Sequence, residues 1–581
     1  MTDEYTGADL FVDALERYGV SRVFGNPGTM ELPVMEAIGD SDLEYVLGLH
    51  EDVAVGMAAG YASTRRYHAD RAERAGRADG DDPDERSDRA ATVNPVGVVN
   101  LHVAPGLAHG LGNLYGAAVA GAPLVVTAGN HSTDFRHEEP ILSGDLAAMA
   151  DEFAKWSDEV RDVSALPAML RRAFRVALTP PTGPVFLALP LDVMMTPTDD
   201  DPERLGEIPD AGRGDPTQIE LAADLLADPD EDVALVVGDG VARSGVDAVE
   251  AAVEFAEAAG ARVHGEILAC EIDFPTDHDQ WVSYIPPDED LAATLLGADN
   301  LVFAGCSTNT TLTRHERDLV ADDTTCVHVS DDAWQVGKNQ PADAAVVGDP
   351  GRVLTELAGL VRKRLTAAGR EERLDRVEMV KQMAESKMAA MGDDVADDPR
   401  ASKAELVDAM ERIAGDAYVV DEGVTAKYAM LTRWDFAPEQ YVSNKGGGLG
   451  YGLPAAVGAA IAEGETDDPR DVVGFVGDGS YLYYPQTLYS AARYDVDLTV
   501  VIPDNRNYRI LKDNTLDLFG GEEDDYEFVG MDFEPPVDIP ANAESHGARG
   551  RLVEDPDEIE SALAAALERE GPDVLDVLVH D

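Results

Sequence analysis

Two rhythms of apolar residues alternate along this chain. Short continuous apolar runs mark strands buried on both faces, and longer stretches with helical spacing separate them. The first part opens with an amphipathic helix near Ala8–Tyr18 and predicts strands at Arg22–Phe24, Tyr45–Leu49, Val96–Leu101, Leu124–Ala128 and Val185–Leu189. The second opens with a helix at Thr217–Leu226 and predicts strands at Val233–Val237, Asn300–Ala304 and Thr325–Val329. A long charged helical region, Pro350–Met391, leads to the third. There the pattern gives helix Lys403–Ile413, strand Ala417–Asp421, helix Gly450–Ala462, strand Gly474–Val476, helix Pro485–Tyr494 and strand Leu498–Ile502, closing with helix Asp557–Glu570 and strand Val574–Val579. Strands separated by helices predict an α/β fold class: three doubly wound parallel-sheet domains, the first and third alike in alternation. The expected boundaries are 1–195, 215–365 and 392–581, with the Asp/Pro-rich stretch Thr196–Asp215 as a linker. Residues 67–91 are rich in Asp, Arg, Gly and Ala without apolar periodicity, and read as an exposed acidic insertion in a loop.

Composition narrows the class. A chain of 581 residues is too long for one core, and 44% hydrophobic content is ordinary for globular proteins. The charge is not ordinary: 113 acidic against 45 basic residues give −68. Acidic residues spread along the whole chain, and disorder conflicts with the periodic apolar segments. The expectation is a solvated acidic surface suited to high salt, a halophilic trait, where screening removes most self-repulsion. Such a surface excludes nucleic acid as a partner. Cys270, Cys306 and Cys326 lack metal or disulfide spacing. Without a signal-like start or a membrane-length apolar run, the protein is expected to be cytoplasmic with no membrane partner.

The most specific motif is Val473-Gly-Phe-Val-Gly-Asp-Gly-Ser480, followed 26 positions after Gly479 by Asn505 in Pro503-Asp-Asn-Arg-Asn-Tyr508. Strand–helix–strand between them would place Asp478 and the Asn505 loop side by side at the carboxyl ends of neighbouring parallel strands, where open α/β sheets bind ligands. A carboxylate, an amide oxygen and a nearby backbone carbonyl suit a hard cation such as Mg²⁺ that keeps phosphate oxygens as its other ligands. By contrast Gly238, Gly240 and Gly245 miss the GxGxxG dinucleotide pattern, so the second sheet reads as a scaffold.

The Gly-Asp-Gly plus Asn pattern resembles the thiamine-diphosphate fingerprint. In Gly48-Leu-His-Glu-Asp52, Glu51 ends a strand and opens a small-residue helix; beside that cofactor it is the expected proton-sharing partner of the aminopyrimidine. The chain resembles the thiamine-diphosphate-dependent 2-oxo-acid enzymes, most of all benzoylformate decarboxylases, over nearly its whole length. Phe24-Gly-Asn-Pro-Gly-Thr-Met-Glu-Leu-Pro33 matches that family's early loop, with Thr29 where a substrate-contacting serine is usual. Asn100-Leu-His-Val-Ala-Pro-Gly106 carries His102, and Phe274-Pro-Thr-Asp-His278 carries His278, at the positions of its two proton-transferring histidines. His50, His109 and His131 read as supporting or structural residues.

In Gly446-Gly-Gly-Leu-Gly-Tyr-Gly-Leu-Pro454, the resemblance implies that the Gly447 carbonyl accepts from the 4′-amino group and that Leu449 bends the cofactor. It implies Asp478, Asn505 and the Asn507 carbonyl as Mg²⁺ ligands, with Thr425, Gly479, Ser480 and Tyr508 around the diphosphate. Departures fall in the substrate pocket: Lys445, Ile510, Leu511 and Asn514, the last replacing an aromatic residue. The resemblance further implies an active site shared between subunits, a homodimer as the minimum and a homotetramer as the expected assembly. The expected reaction is non-oxidative decarboxylation of a small-molecule 2-oxo acid to an aldehyde. An acetolactate synthase-type carboligase and a catalytically silent regulatory subunit are the alternatives.

Overall fold

A computed structural model describes residues 4–79, 93–306, 317–391 and 398–580. It contains three six-stranded sheets, and every adjacent strand pair with a defined register runs parallel. With strands numbered in chain order within each sheet, the first and third share the order 2-1-3-4-6-5. The middle sheet has the order 3-2-1-4-5-6, that of dinucleotide-binding sheets.

The inner strands follow the apolar runs. Gly97–Leu101, Leu124–Asn130, Val185–Pro190, Val472–Val476 and Leu498–Asp504 are buried at every position. Six strands lacked a sequence signal: Ser157–Glu159, Arg262–Gly265, Trp281–Tyr284, Ala344–Val347, Tyr441–Ser443 and Arg549–Val553. All but Arg262–Gly265 are sheet edges, where strands are short and need not be apolar on both faces.

Two expectations change. Helix Glu51–Asp79 runs through the first half of the expected insertion, so residues 67–79 are helical rather than loop. Its basic and acidic residues pair one turn apart, Arg74 with Asp70 and Arg77 with Glu73, which sustains a helix without an apolar stripe. Residues 80–91 of that insertion lie outside the described residues. The charged region Pro350–Met391 is two helices, Pro350–Arg364 and Ala367–Met391, parted where Leu365 turns extended. Among the described residues no helix is long and apolar enough to cross a membrane.

The chain divides into two compact units. One comprises residues 1–208, 399–427 and 444–581; the other comprises 209–398 and 428–443. Within the first unit, helix Glu51–Asp79 packs on the wholly buried helix Gly452–Glu463. Contact is close because both faces are small: a Cβ on Gly458 would lie 1.9 Å from the Met57 carbonyl oxygen, and one on Gly60 2.1 Å from that of Ala455. Ion pairs fasten the far end, His68 Nε2 3.1 Å from Glu463 and Arg65 2.6 Å from Glu465. Burial alone would raise the Glu463 carboxyl, but His68 and Arg470 outweigh it and hold it down at about 2. Gly458→Val should therefore part the two helices and cost about 3 kcal/mol or more, read as a lower denaturant midpoint; an unchanged midpoint would refute this packing.

Candidate active site

The functional loops leave the carboxyl ends of the strands in the first unit, and they form two clusters. The first surrounds an open cavity of about 450 Å³ lined by residues 423–426, Leu449, residues 477–480, Pro503, Asn505, residues 507–510 and Lys403. Strand Val472–Val476 delivers Asp478 to a one-turn helix, and strand Leu498–Asp504, two residues longer than its apolar run, delivers Asn505. Asp504 accepts from the Arg506 amide (2.9 Å), Asn507 Nδ2 donates to the Asn505 carbonyl (2.8 Å), and the Tyr508 amide donates to Met531 (2.8 Å). The cavity lining brings together Asp478, Asn505, Asn507, Thr425, Gly479, Ser480, Tyr508, Leu449 and Ile510.

Asp478 is 5% exposed and its Oδ2 has no hydrogen-bond partner. Burial, then the neighbouring Asp504, push its carboxyl up to about 8. Asp576, equally buried, is raised to about 8 by burial and by the same Asp504. A buried carboxylate lacking a counter-charge is costly, and this donor set of carboxylate and amide oxygens fits a hard divalent cation.

The second cluster lies in the amino-terminal part. Glu51 begins its helix, 9% exposed, with Oε2 3.2 Å from His109 Nδ1. His102 follows strand Gly97–Leu101, and its Nδ1 lies 2.7 Å from Glu31 Oε2. Glu51 and His102 both flank Gly106: a Cβ there would meet Glu51 Oε1 at 2.9 Å and the His102 Cβ at 3.3 Å. Thr29 opens the turn that carries Glu31, and is exposed. His50 stacks on His109 at 5.2 Å, and burial lowers its pKa. His131 bonds to the Ile141 carbonyl at 2.9 Å, a structural contact.

Glu31 escaped the sequence reading as a functional residue although it stands in the same motif as Thr29. It is 1% exposed and accepts from the Gly28 amide (3.0 Å), the Gly129 amide (2.9 Å) and His102. A carboxylate oxygen accepts, so Nδ1 is the donor of this pair and the ring is oriented through it. The one available signal was an acid at a turn entry; its partner, 71 residues away, was not predictable from spacing. Glu422 was also missed. It is buried beneath the glycine-rich turn, accepting from Asn444 Nδ2 (2.9 Å) and the amides of Tyr451 (3.2 Å) and Gly452 (2.7 Å), and burial raises it to about 7.

Several predicted residues are not in the cavity lining: Glu51, His102, Gly447, Lys445, Leu511 and Asn514. Gly447 holds φ +70 with open space around it, and Leu511 and Asn514 lie on helix Arg509–Phe519, none of whose residues is buried. His278 belongs to the second unit, its Nδ1 accepting from the Gln280 amide at 3.1 Å. In that unit the glycine turn after strand Val233–Val237 is filled by its own chain. A Cβ on Gly238 would lie 2.6 Å from the Cys306 Cα, and Asp239 accepts from the Cys270 amide at 2.7 Å.

Sheet topology and these two clusters define a cofactor-dependent α/β enzyme class, and comparison with known proteins identifies it. The chain belongs to the thiamine pyrophosphate enzyme family. The family's N-terminal TPP binding domain matches residues 5–69 and 87–157, its central domain 219–357 and its C-terminal TPP binding domain 421–577. The chain is 30% identical to a benzoylformate decarboxylase of Pseudomonas aeruginosa over 570 residues, 97% of each chain. It is 27% identical to a probable acetolactate synthase large subunit of Methanocaldococcus jannaschii, over 99% of this chain and 92% of that one. Among solved structures it is similar to a thiamine diphosphate-dependent 4-hydroxybenzoylformate decarboxylase of Rhodococcus jostii RHA1, with TM-score 0.80, 27% identity and 99% of each chain covered. It is also similar to benzoylformate decarboxylase of Polynucleobacter necessarius, with TM-score 0.81, 25% identity, and 99% and 98% covered.

Glu31→Ala should cost about 3 kcal/mol in denaturant unfolding, because two buried amides and an imidazole lose their acceptor. Glu31→Gln, which retains one acceptor oxygen, should lose less. Equal stability of all three proteins would remove Glu31 from this role.

Proposed function

We propose that this protein catalyses thiamine-diphosphate- and Mg²⁺-dependent, non-oxidative decarboxylation of a 2-oxo acid, releasing an aldehyde and carbon dioxide. The bound cofactor supplies an electron sink on which the bond to the departing carboxylate can break. Residues 1–195 bind the pyrimidine end, residues 392–581 the diphosphate, and residues 215–365 act as scaffold. Asp478, Asn505 and the Asn507 carbonyl hold Mg²⁺. Thr425, Gly479, Ser480 and Tyr508 hold the diphosphate, and the Gly447 carbonyl with Leu449 seats the rings. Glu51 shares its proton with the aminopyrimidine. Thr29 orients the substrate carboxylate, while Lys445, Ile510, Leu511 and Asn514 shape the pocket around the rest of the substrate.

The observation that carries the decarboxylase reading is the His102–Glu31 pair beside Glu51. An imidazole oriented through Nδ1 can take up a proton at Nε2 from solvent and deliver it to a carbon that has lost its carboxylate, and His278 is the second proton carrier. The cavity lining includes neither Glu51 nor His102, which supports a site completed by a second copy: a homodimer at minimum, and a homotetramer as the assembly. The carboligase reading rests on the acetolactate synthase relatives, which span nearly the whole chain.

Products separate the two readings. In molar salt with thiamine diphosphate and Mg²⁺, incubation with pyruvate and with benzoylformate should give aldehyde and carbon dioxide. A condensed hydroxyketone as the main product would establish the carboligase instead.

Two predictions follow from the site chemistry. Glu51→Gln should lower turnover by about 100-fold or more without changing the circular dichroism spectrum; near-normal turnover would refute its role. Because Mg²⁺ must displace a proton from a carboxyl raised to about 8, apparent Mg²⁺ affinity should rise about tenfold per pH unit towards that value and then level off. A flat profile between pH 6 and 8 would remove Asp478 as a ligand.

A further inference from the structure

We infer that Glu422 is a positioning residue: acting through Asn444, it sets the shape of the glycine-rich turn that seats the cofactor rings. The inference rests on the functional reading above and deepens it. Strand Tyr418–Glu422 ends at this residue, and three loops of the site meet there. Its own chain runs on into Gly423, Val424 and Thr425, which line the cavity. Its carbonyl accepts from the amide of Gly477, the residue before Asp478, at 3.2 Å. Its side chain, 4% exposed, serves the third loop. Oε1 accepts from Asn444 Nδ2 (2.9 Å) and the Tyr451 amide (3.2 Å), and Oε2 accepts from the Gly452 amide (2.7 Å). A Cβ on Gly452 would stand 2.6 Å from the Glu422 Cβ, so the turn lies directly against this side chain.

Asn444 carries the contact from the buried carboxyl to the exposed tip of the turn. Its Oδ1 accepts from the Gly447 amide at 3.1 Å, and its Nδ2 donates to the Gly448 carbonyl at 2.6 Å as well as to Glu422. One side chain therefore holds the peptide units before and after the Gly447 carbonyl. Glu422 in turn fixes which way Asn444 faces. A carboxylate oxygen accepts, so it draws the amide nitrogen towards itself and leaves Oδ1 for the Gly447 amide. The tip has little stiffness of its own. Gly447 and Gly448 are exposed, with nothing within 4 Å of an added Cβ, and Gly447 and Gly450 hold φ of +70° and +96°. Glycine populates many backbone conformations, and the Glu422–Asn444 pair beneath the tip selects one.

The test is calorimetric titration of the full-length protein with thiamine diphosphate and with inorganic diphosphate, at fixed Mg²⁺ and salt. Inorganic diphosphate has no rings for the turn to seat, so it reports on the rest of the site. Asn444→Ala and Glu422→Leu should each weaken thiamine diphosphate binding about tenfold and leave inorganic diphosphate binding within about twofold. Glu422→Gln, which keeps an oxygen for Asn444, should recover most of the loss. The double variant should bind within about threefold of the weaker single one, since both changes break one chain of contacts. Melting temperatures show which variants fold, and Asn444→Ala decides by itself if Glu422→Leu does not. Unchanged thiamine diphosphate affinity in Asn444→Ala, an equal loss for both ligands, or losses that multiply in the double variant would overturn the inference while the functional reading stands. Failure of the unmodified protein to bind thiamine diphosphate would overturn both.

Discussion

Negative charge held away from water at the carboxyl edge of the third sheet is the constraint on which the site depends. Asp478, Asp504 and Asp576 come from three neighbouring strand ends, all nearly inaccessible, and two of them are pushed far above the usual carboxylate range. Arg506, 3.7 Å from Asp504, offsets only part of this charge, and the carboxyls of Asp478 and Asp576 stay raised. The parallel topology then matters twice: it brings the strand ends to one edge, and it leaves their loops free to carry polar groups without disturbing the buried strands.

Three of the eight non-glycine residues with positive φ among the described residues stand beside candidate residues of the two clusters. Val103, Val424 and Arg506 all have positive φ, at 39°, 42° and 61°. Val103 follows His102, Val424 precedes Thr425, and Arg506 separates Asn505 from Asn507. For branched residues this region is a true outlier, tolerated only where surrounding contacts over-determine the chain. Arg506 shows how. Its amide donates to Asp504, and its carbonyl accepts from Phe533 at 2.9 Å, so a separate strand-like segment clamps the turn.

Much of this was legible in the sequence because the information is local. Asp478 and Asn505 are tied by one strand–helix–strand unit, and an apolar run ending in Gly-Asp-Gly announces where that unit turns. Most inner strands were readable because burial on both faces favours continuous Val, Leu and Ile; Arg262–Gly265, with Arg262 and His264 buried, was the exception. Edge strands such as Ser157–Glu159 and Arg549–Val553 were not, since a strand with one neighbour can be polar. The helical continuation beyond Tyr67 was hidden because charge pairs, rather than an apolar face, sustain it. Glu31 was illegible for another reason: it acquires its contacts from His102 and Gly129, far along the chain, which no spacing rule encodes.

The discontinuity of the first unit bears on how the protein is made. Its amino-terminal part leaves the ribosome with the small-residue face around Gly60 uncovered, and the helix that covers it arrives only with residues 452–463. At about 5–20 residues per second, that face waits on the order of tens of seconds while the intervening unit is synthesised. The segment to be closed over spans residues 209–398, and the entropy of closing so long a loop grows only slowly with its length. Biogenesis therefore leaves that helix face without its covering partner until nearly four-fifths of the chain has been made.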